Sequence, residues 1–506
     1  MKNSILWSVI AVLVLSSCNL STEKADPSHQ ETGSYFENPV LGGDYPDPSV
    51  FRDGEDYYMT HSSFEYYPGL LIWHSKDLIH WERISHALHR YVGSVWAPDF
   101  IKYNNRYFIY FPAGGTNWVV TADSPAGPWS DPIDLNLRGF IDPGHMTDIE
   151  GNRYLYLSKG FIVRLSEDGL SVQGEPEHVY DGWQYPKEWS TECFCLESPK
   201  MTVKDGIYYL TVAEGGTAGP ATAHMVVSAR SKSPLGPFEN SPYNPVIHTE
   251  SREERWWCQG HGTLVDDTEG NWWIMYHGYE KCFQTLGRQT LLLPIEWTED
   301  LWFKVPDGIK SFDKIKSPSG SPIKLSGSLS DDFSGDEPGL QWQYFRDYDA
   351  NRTRIEDGKL IMNANGNSFK STTPLLVNAG DRKYEVSVEY SLKGDVTSGL
   401  CLFYNDEGNM RIEVSKSRFT VFNRNNAKIR ESNAFGDHGY LKILNDENEI
   451  SFYYSDNGTN WRKLERSIDA TGFNHNVFGG FMSLRPGIYC FGDGQTSFDN
   501  FVYKSL

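Results

Sequence analysis

The sequence predicts an all-β chain, a five-bladed β-propeller followed by a β-sandwich. Five stretches repeat one pattern, a turn running into aromatic-rich alternation: Asp53-Gly54-Glu55-Asp56-Tyr57-Tyr58, Asn104-Asn105-Arg106-Tyr107-Phe108, Gly151-Asn152-Arg153-Tyr154-Leu155, Asp205-Gly206-Ile207-Tyr208-Tyr209 and Gly270-Asn271-Trp272-Trp273. Their anchors Tyr57, Tyr107, Tyr154, Tyr208 and Trp272 stand 50, 47, 54 and 64 residues apart, a period that suits propeller blades. No long helical period appears, and strand-like alternation resumes beyond residue 331.

The elements follow in chain order. Lys2 and the short apolar stretch Ile5–Leu15 read as a targeting leader over 1–17, too short to be a good spanning helix. Leu15-Ser16-Ser17-Cys18 resembles a lipoprotein cleavage box, so lipid is expected on Cys18, with the chain held at the cell envelope, on the periplasmic face or the surface. Residues 18–35 are polar and turn-rich, a tether. Residues 36–312 carry the repeats, with short strands such as Tyr107-Phe108-Ile109-Tyr110-Phe111 and turn clusters such as Asp123-Ser124-Pro125-Ala126-Gly127-Pro128. A Ser/Pro/Gly/Lys-rich linker spans 313–330. Residues 331–506 alternate as in Tyr384-Glu385-Val386-Ser387-Val388-Glu389-Tyr390, with hairpin turns at Asn405–Gly408 and Ser455–Gly458, which suggests a sandwich. Support, carbohydrate binding and a lid over the propeller are the roles open to it.

The chain's 506 residues exceed one ordinary core. A formal charge of −21 excludes nucleic acid and anionic membrane as partners of the general field and suits a neutral substrate. Aromatic residues make up 14%, enough to pack sheets and still offer faces to sugar rings. Besides Cys18 there are Cys193, Cys195, Cys258, Cys282, Cys401 and Cys490. Cys193-Phe194-Cys195 lacks zinc-site spacing and reads as buried thiols or a bridge near the site.

Ten to twelve residues before the five anchors lie Asp47, Trp96, Asp142, Glu197 and His261. The first strand of each blade lines a propeller's funnel, so this register aims three carboxylates, a tryptophan and a histidine at one cavity. Glycoside hydrolysis needs a protonated acid on one side of the sugar and a second carboxylate on the other. Crowded carboxylates cannot all ionise, so one should stay protonated near neutral pH. The prolines flanking Asp47 and following Asp142 are expected to fix the backbone there. Glycines on both sides of His261 point to close backbone approach, though a lone histidine in a β core is most often a packing residue.

Tyr45-Pro46-Asp47-Pro48-Ser49, Val95-Trp96-Ala97-Pro98-Asp99, Ile141-Asp142-Pro143, Glu197-Ser198-Pro199, Gly260-His261-Gly262 and Leu286-Gly287-Arg288-Gln289-Thr290 occur in the order found in glycoside hydrolase family 43. The resemblance covers about residues 38–305. It implies an inverting exo-hydrolase of pentosides, acting on an oligo- or polysaccharide. Asp47 matches the general base, Glu197 the general acid, and Asp142 the carboxylate that orients the acid and tunes its pKa. Phe64, Trp96 and Ala97 match the sugar pocket, and Arg288 an arginine near the acid and the sugar. His261 matches an axial histidine often beside calcium or water; no cofactor is required, and a structural calcium on the axis is the one metal implied. Ser198 departs from the small residue, commonly Gly, that follows the acid. The stretch Ala221–Ser233 looks closest to members that trim arabinosyl branches, so α-L-arabinofuranosidase is preferred over β-D-xylosidase or both. A glycan-capturing lipoprotein without catalysis is the other class. Glu192-Cys193 resembles the acid of retaining fructan-cleaving propellers, but Glu192 stands 16 residues before Tyr208, outside the shared offset, and Ile141 stands where those enzymes carry arginine.

Overall fold

The computed structural model describes residues 34–323, 327–346 and 351–506; Cys18 and nearly all of the tether lie outside the described residues. Five antiparallel sheets follow one another along the chain and form blades 1 to 5, over residues 49–88, 99–134, 144–178, 197–248 and 256–304. Each blade meanders outward from its first strand. Four anchor aromatics take the second position of their blade's second strand and Trp272 takes the first. The turn before each anchor needs positive φ, supplied at Gly54 (68°), Asn104 and Asn105 (49° and 60°) and Gly206 (75°), which is why those residues head the repeats.

The ring closes without a shared strand. Instead the entry segment 38–48 is stitched to blade 5: Val40 N–H donates to Thr290 O at 3.0 Å, Thr290 Oγ1 donates to Tyr45 O at 2.7 Å, and Thr263 Oγ1 donates to Pro48 O at 2.8 Å. One carboxylate ties four blades. Asp99 at the start of blade 2 accepts Lys200 Nζ from blade 4 at 2.7 Å, His145 N–H from blade 3 at 2.6 Å and Ser49 Oγ from blade 1 at 3.3 Å. Both ions of the Asp99–Lys200 pair are buried, so each depends on the other.

The predicted linker is partly structural: Ile315–Lys316 pairs with Tyr35–Phe36. Beyond it, two 21-residue strands, Lys383–Phe403 and Arg485–Ser505, form the spine of the sandwich. Tyr384 to Tyr390 alternate in and out of its core as their pattern predicts. Among the described residues the one α-helix is His475–Phe478.

The sandwich is fused to the propeller. Tyr66–Tyr67 of blade 1 pairs with Gln343–Phe345, and Phe64 and Tyr66 belong to the sandwich's own hydrophobic core. Asn378 accepts the Asp44 N–H at 3.2 Å and donates to the Asp44 carbonyl at 3.0 Å, so an amide from the sandwich replaces a strand partner three residues before Asp47. Asn378→Ala leaves a buried N–H and C=O without these partners and should cost about 1–3 kcal/mol, read as a lowered urea midpoint at unchanged slope.

Candidate active site

The funnel carboxylates come from the chain just ahead of, or at, the first strands. Asp47 and Asp142 each lie two residues before their strand, and Glu197 begins its own. The backbone there is not the extended form that a following proline favours. Asp47 and Asp142 have φ of 58° and 54°, and Ser198 and His261 have 56° and 60°. Left-handed backbone at non-glycine residues is costly and tends to gather where function demands it. Ser198 occupies that conformation where its resemblance leads one to look for Gly, and its N–H donates to Asp142 Oδ2 at 3.2 Å.

Asp47 is held by hydrogen bonds as much as by its prolines. Arg288 Nη1 lies 3.0 Å from Oδ1 and Nη2 lies 3.4 Å from Oδ2; Ser62 Oγ donates to Oδ2. His261 Nδ1 lies 3.2 Å from Oδ1. His277 Nδ1 lies 3.1 Å from the Asp47 N–H, and its Nε2 lies 3.2 Å from Thr217 Oγ1. The same Nδ1 lies 3.1 Å from Asp47 Oδ1, so it accepts that N–H in one tautomer and donates to the carboxylate in the other. Burial is the largest single influence on the Asp47 carboxyl and pushes it up, but Arg288, His261 and His277 together outweigh it, and the group is held well below the carboxylate range. Burial also drives His261 and His277 down, to about 3 and about 4. Both imidazoles are therefore neutral, which leaves Arg288 as the permanent positive charge paired with Asp47.

The other two carboxyls go the opposite way. Burial and then the charge of Asp47 raise Asp142 to about 7. Burial, then Asp142 and Asp47, raise Glu197 well above its usual value. One cavity thus holds an ionised carboxylate, Asp47, and a protonated carboxyl, Glu197, whose pKa values are driven apart by the guanidinium on one of them.

Phe64 is buried and Arg288 lies 5.6 Å from its ring centroid. Ala97 is buried too. Trp96 differs from its register: its blade's first strand starts three residues later, and the indole stands on the cleft rim, 38% exposed. Glu192 does not line this cleft; its carboxylate accepts the Ala218 N–H at 2.8 Å. Cys193 and Cys195 are bridged to each other, while Cys258, Cys401 and Cys490 are buried free thiols.

Several site residues escaped the sequence reading. Phe481 of the sandwich lies with its ring centroid 6.3 Å from Trp96, edge on, and 5.3 Å from the Arg288 guanidinium. His475 stacks on it at 3.9 Å and accepts its N–H at 2.9 Å. The sandwich therefore supplies a wall of the site. Ser62, His277 and His224, which stacks on His277 at 5.3 Å, were also missed. Only the second strand of blade 5 brings His277 to Asp47, and no spacing in the chain announces it.

Calcium takes six to eight oxygen ligands. Asp47, His261 and His277 gather one carboxylate and two imidazole nitrogens, and Arg288 already occupies the same carboxylate oxygen. That donor set does not fit direct calcium ligation, and no step is routed through a metal.

A propeller funnel with one ionised and one protonated carboxyl is the apparatus of a glycoside-cleaving enzyme. The family model for glycosyl hydrolases family 43 matches residues 36–303, and that for the beta xylosidase C-terminal concanavalin A-like domain matches residues 330–504. The chain belongs to glycosyl hydrolases family 43. It is 34% identical over 343 residues to a non-reducing end alpha-L-arabinofuranosidase of Bacteroides ovatus, covering 62% of this chain and 61% of that one. It is 32% identical over 332 residues to a xylan 1,3-beta-xylosidase of a Vibrio species, covering 56% and 60%. The match thus spans less than two thirds of either relative. A family 43 protein of Bacillus licheniformis superposes with a TM-score of 0.86 at 27% identity, over 94% of this chain and 100% of that one.

A raised carboxyl destabilises the fold above its unfolded pKa, because the unfolded chain releases the proton first. For Asp142 this penalty grows as pH rises from about 4 to about 7. Asp142→Asn keeps an acceptor for Ser198 and removes the penalty. The variant should be more stable than wild type in denaturant titrations at pH 8, with the gain gone at pH 4.

Proposed function

We propose that this protein is an inverting exo-glycosidase that releases terminal α-L-arabinofuranosyl groups from hemicellulose, such as arabinoxylan or xyloglucan side chains. The observation that carries the reading is that Arg288 pairs with Asp47 while no cation pairs with Glu197 among the described residues, which drives the two carboxyls toward opposite protonation. Glu197 gives its proton to the leaving oxygen. Asp47 takes a proton from the water that attacks the anomeric carbon on the opposite face. Inverting enzymes keep these carboxyls roughly 6.5–9.5 Å apart to leave room for that water. Asp47 is nearly saturated with donors, so the water must enter at its loosest contact, Arg288 Nη2 at 3.4 Å. Burial and the nearby carboxyls keep Glu197 protonated, and Asp142 orients it through Ser198, whose N–H it accepts. Phe64, Trp96, Ala97, His261 and Arg288 bound the sugar.

β-D-Xylosidase activity, alone or alongside, is the second reading, favoured by the Vibrio relative's name. A purely glycan-binding role fits poorly, since a binder gains nothing from burying three carboxyls together. The reading includes a lipid anchor at Cys18 in the cell envelope, the only membrane attachment.

Side-by-side rates on 4-nitrophenyl α-L-arabinofuranoside and β-D-xyloside identify the sugar, and no wild-type turnover on either would sink the proposal. Glu197→Ala should lower kcat/KM on unactivated pentosides by about 10²–10⁴-fold and on aryl pentosides by less, because a good leaving group needs little protonation. Early NMR spectra should show the inverted anomer first; retention excludes the mechanism.

The pH profile follows from the same assignments. Activity needs Glu197 protonated and Asp47 ionised. The alkaline limb should lie well above the usual glutamate range, where Glu197 loses its proton, and the acid limb well below the usual aspartate range. An alkaline limb near 4.5 would refute the acid assignment.

A further inference from the structure

Beyond Glu197 the funnel opens into a cleft of about 890 Å³. Glu197 lines its inner end, whereas Asp47, Asp142 and Arg288 do not line it. An acid protonates the oxygen that departs, so space on the outward side of Glu197 belongs to the leaving group. Pockets of roughly 300–1,000 Å³ enclose whole drug-sized ligands. This one exceeds what a single departing sugar needs. Gly115 and Gly139 line it where the chain is exposed.

Phe194 stands on the wall of this cleft, three residues before Glu197, and is 38% exposed. It is the tip of a three-residue loop closed by the Cys193–Cys195 bridge. An exposed phenylalanine on a surface loop is normally mobile, but this one is backed by a tier of rings. Tyr185 stacks behind it at 5.8 Å, Trp189 behind Tyr185 at 6.3 Å, and His248 on Trp189 at 4.4 Å, with interplanar angles of 25°, 14° and 10°. The Phe194 carbonyl accepts Gly215 N–H at 3.0 Å, and Tyr185 Oη donates to the Cys193 carbonyl at 3.2 Å. The ring edge packs over Gly182, where a Cβ would lie 2.7 Å from Cζ. Beneath that glycine the buried Glu214 accepts Trp183 N–H at 2.7 Å and fastens the start of the loop. Burial raises Glu214 to about 8, so the carboxyl is neutral and rests there without a cationic partner.

A bridge, a ring tier and a buried carboxyl all serve to present one aromatic face to water beside the acid. Phenylalanine has no polar atom to place. It can offer only a flat apolar surface, and the ligand that matches is the C–H face of a neutral sugar ring. We propose that Phe194 is a specificity-determining residue on the leaving-group side, where it stacks against the pentose main chain that carries the scissile group, so that the enzyme is built for oligomeric leaving groups. This rests on the hydrolytic reading above and extends it to the substrate's other half.

The test compares wild type, Phe194→Ala and Phe194→Trp on two substrates and one product. Methyl α-L-arabinofuranoside has a leaving group without a ring, an arabinosyl-branched xylo-oligosaccharide has a full one, and xylotetraose is the departing chain alone, titrated by calorimetry. Phe194→Ala should lower kcat/KM on the branched oligosaccharide about tenfold, change the methyl glycoside by less than about twofold, and weaken xylotetraose binding about tenfold, a factor equal to one stacking contact. Phe194→Trp should restore both oligosaccharide values. Equal losses on both substrates, or an unchanged xylotetraose affinity, overturns the proposal. If wild type cleaves no pentoside, the hydrolytic reading fails by itself. The titration then still decides Phe194: weakened binding in the alanine variant upholds its role, and unchanged binding removes it.

Discussion

Everything at the mouth of this propeller depends on one guanidinium placed beside one of three clustered carboxyls. Three carboxylates in one desolvated funnel cannot all be charged. Arg288 resolves the conflict locally: it makes ionisation of Asp47 favourable, and the resulting negative charge suppresses ionisation of Asp142 and Glu197. The division between a base and an acid thus arises from position, since all three are chemically similar groups. Arg288 is itself held between Phe64 and Phe481, one ring from each domain.

That arrangement explains why the sandwich is welded to the propeller by polar and apolar contacts together. Asn378 and Arg485 reach Asp44, three residues before Asp47, and Arg288 N–H also donates to Asp44 at 3.1 Å. Gln343 accepts Arg485 at 2.9 Å and donates to Pro68 O in the first blade at 2.8 Å. Blade 1, the entry segment and the sandwich then behave as one support for the base. Of the three roles open to the second domain, a structural part of the site is the one with contacts behind it. Trp96, edge on to Phe481 of the sandwich, lines the large open cleft together with Glu197 and the tip of the Cys193–Cys195 loop.

Much of this was legible in the chain. The repeat period predicted the blades because each hairpin turn needs the residues that tolerate positive φ, and each following strand needs aromatic alternation to fill the space between blades. The offset ahead of each anchor found Asp47, Asp142 and Glu197 because the inner strand and its hairpin have similar lengths in every blade. The same rule brought Trp96 to the cleft that Glu197 lines, although its blade begins its first strand a residue later relative to it and the indole stands partly exposed. It missed the conformation at Asp47 and Asp142, where hydrogen bonds from other blades hold a left-handed backbone against the preference set by the next proline.

The sequence by itself determined the architecture and the three carboxyls, because both follow from a repeat one blade long and from offsets within it. Which carboxyl carries the charge was decided only by the tertiary structure. Arg288 meets Asp47 across 241 residues, His277 meets it across 230, and Phe481 arrives from another domain. Electrostatic coupling acts through space and depends on burial and distance. Neither is written in the spacing of residues along a chain.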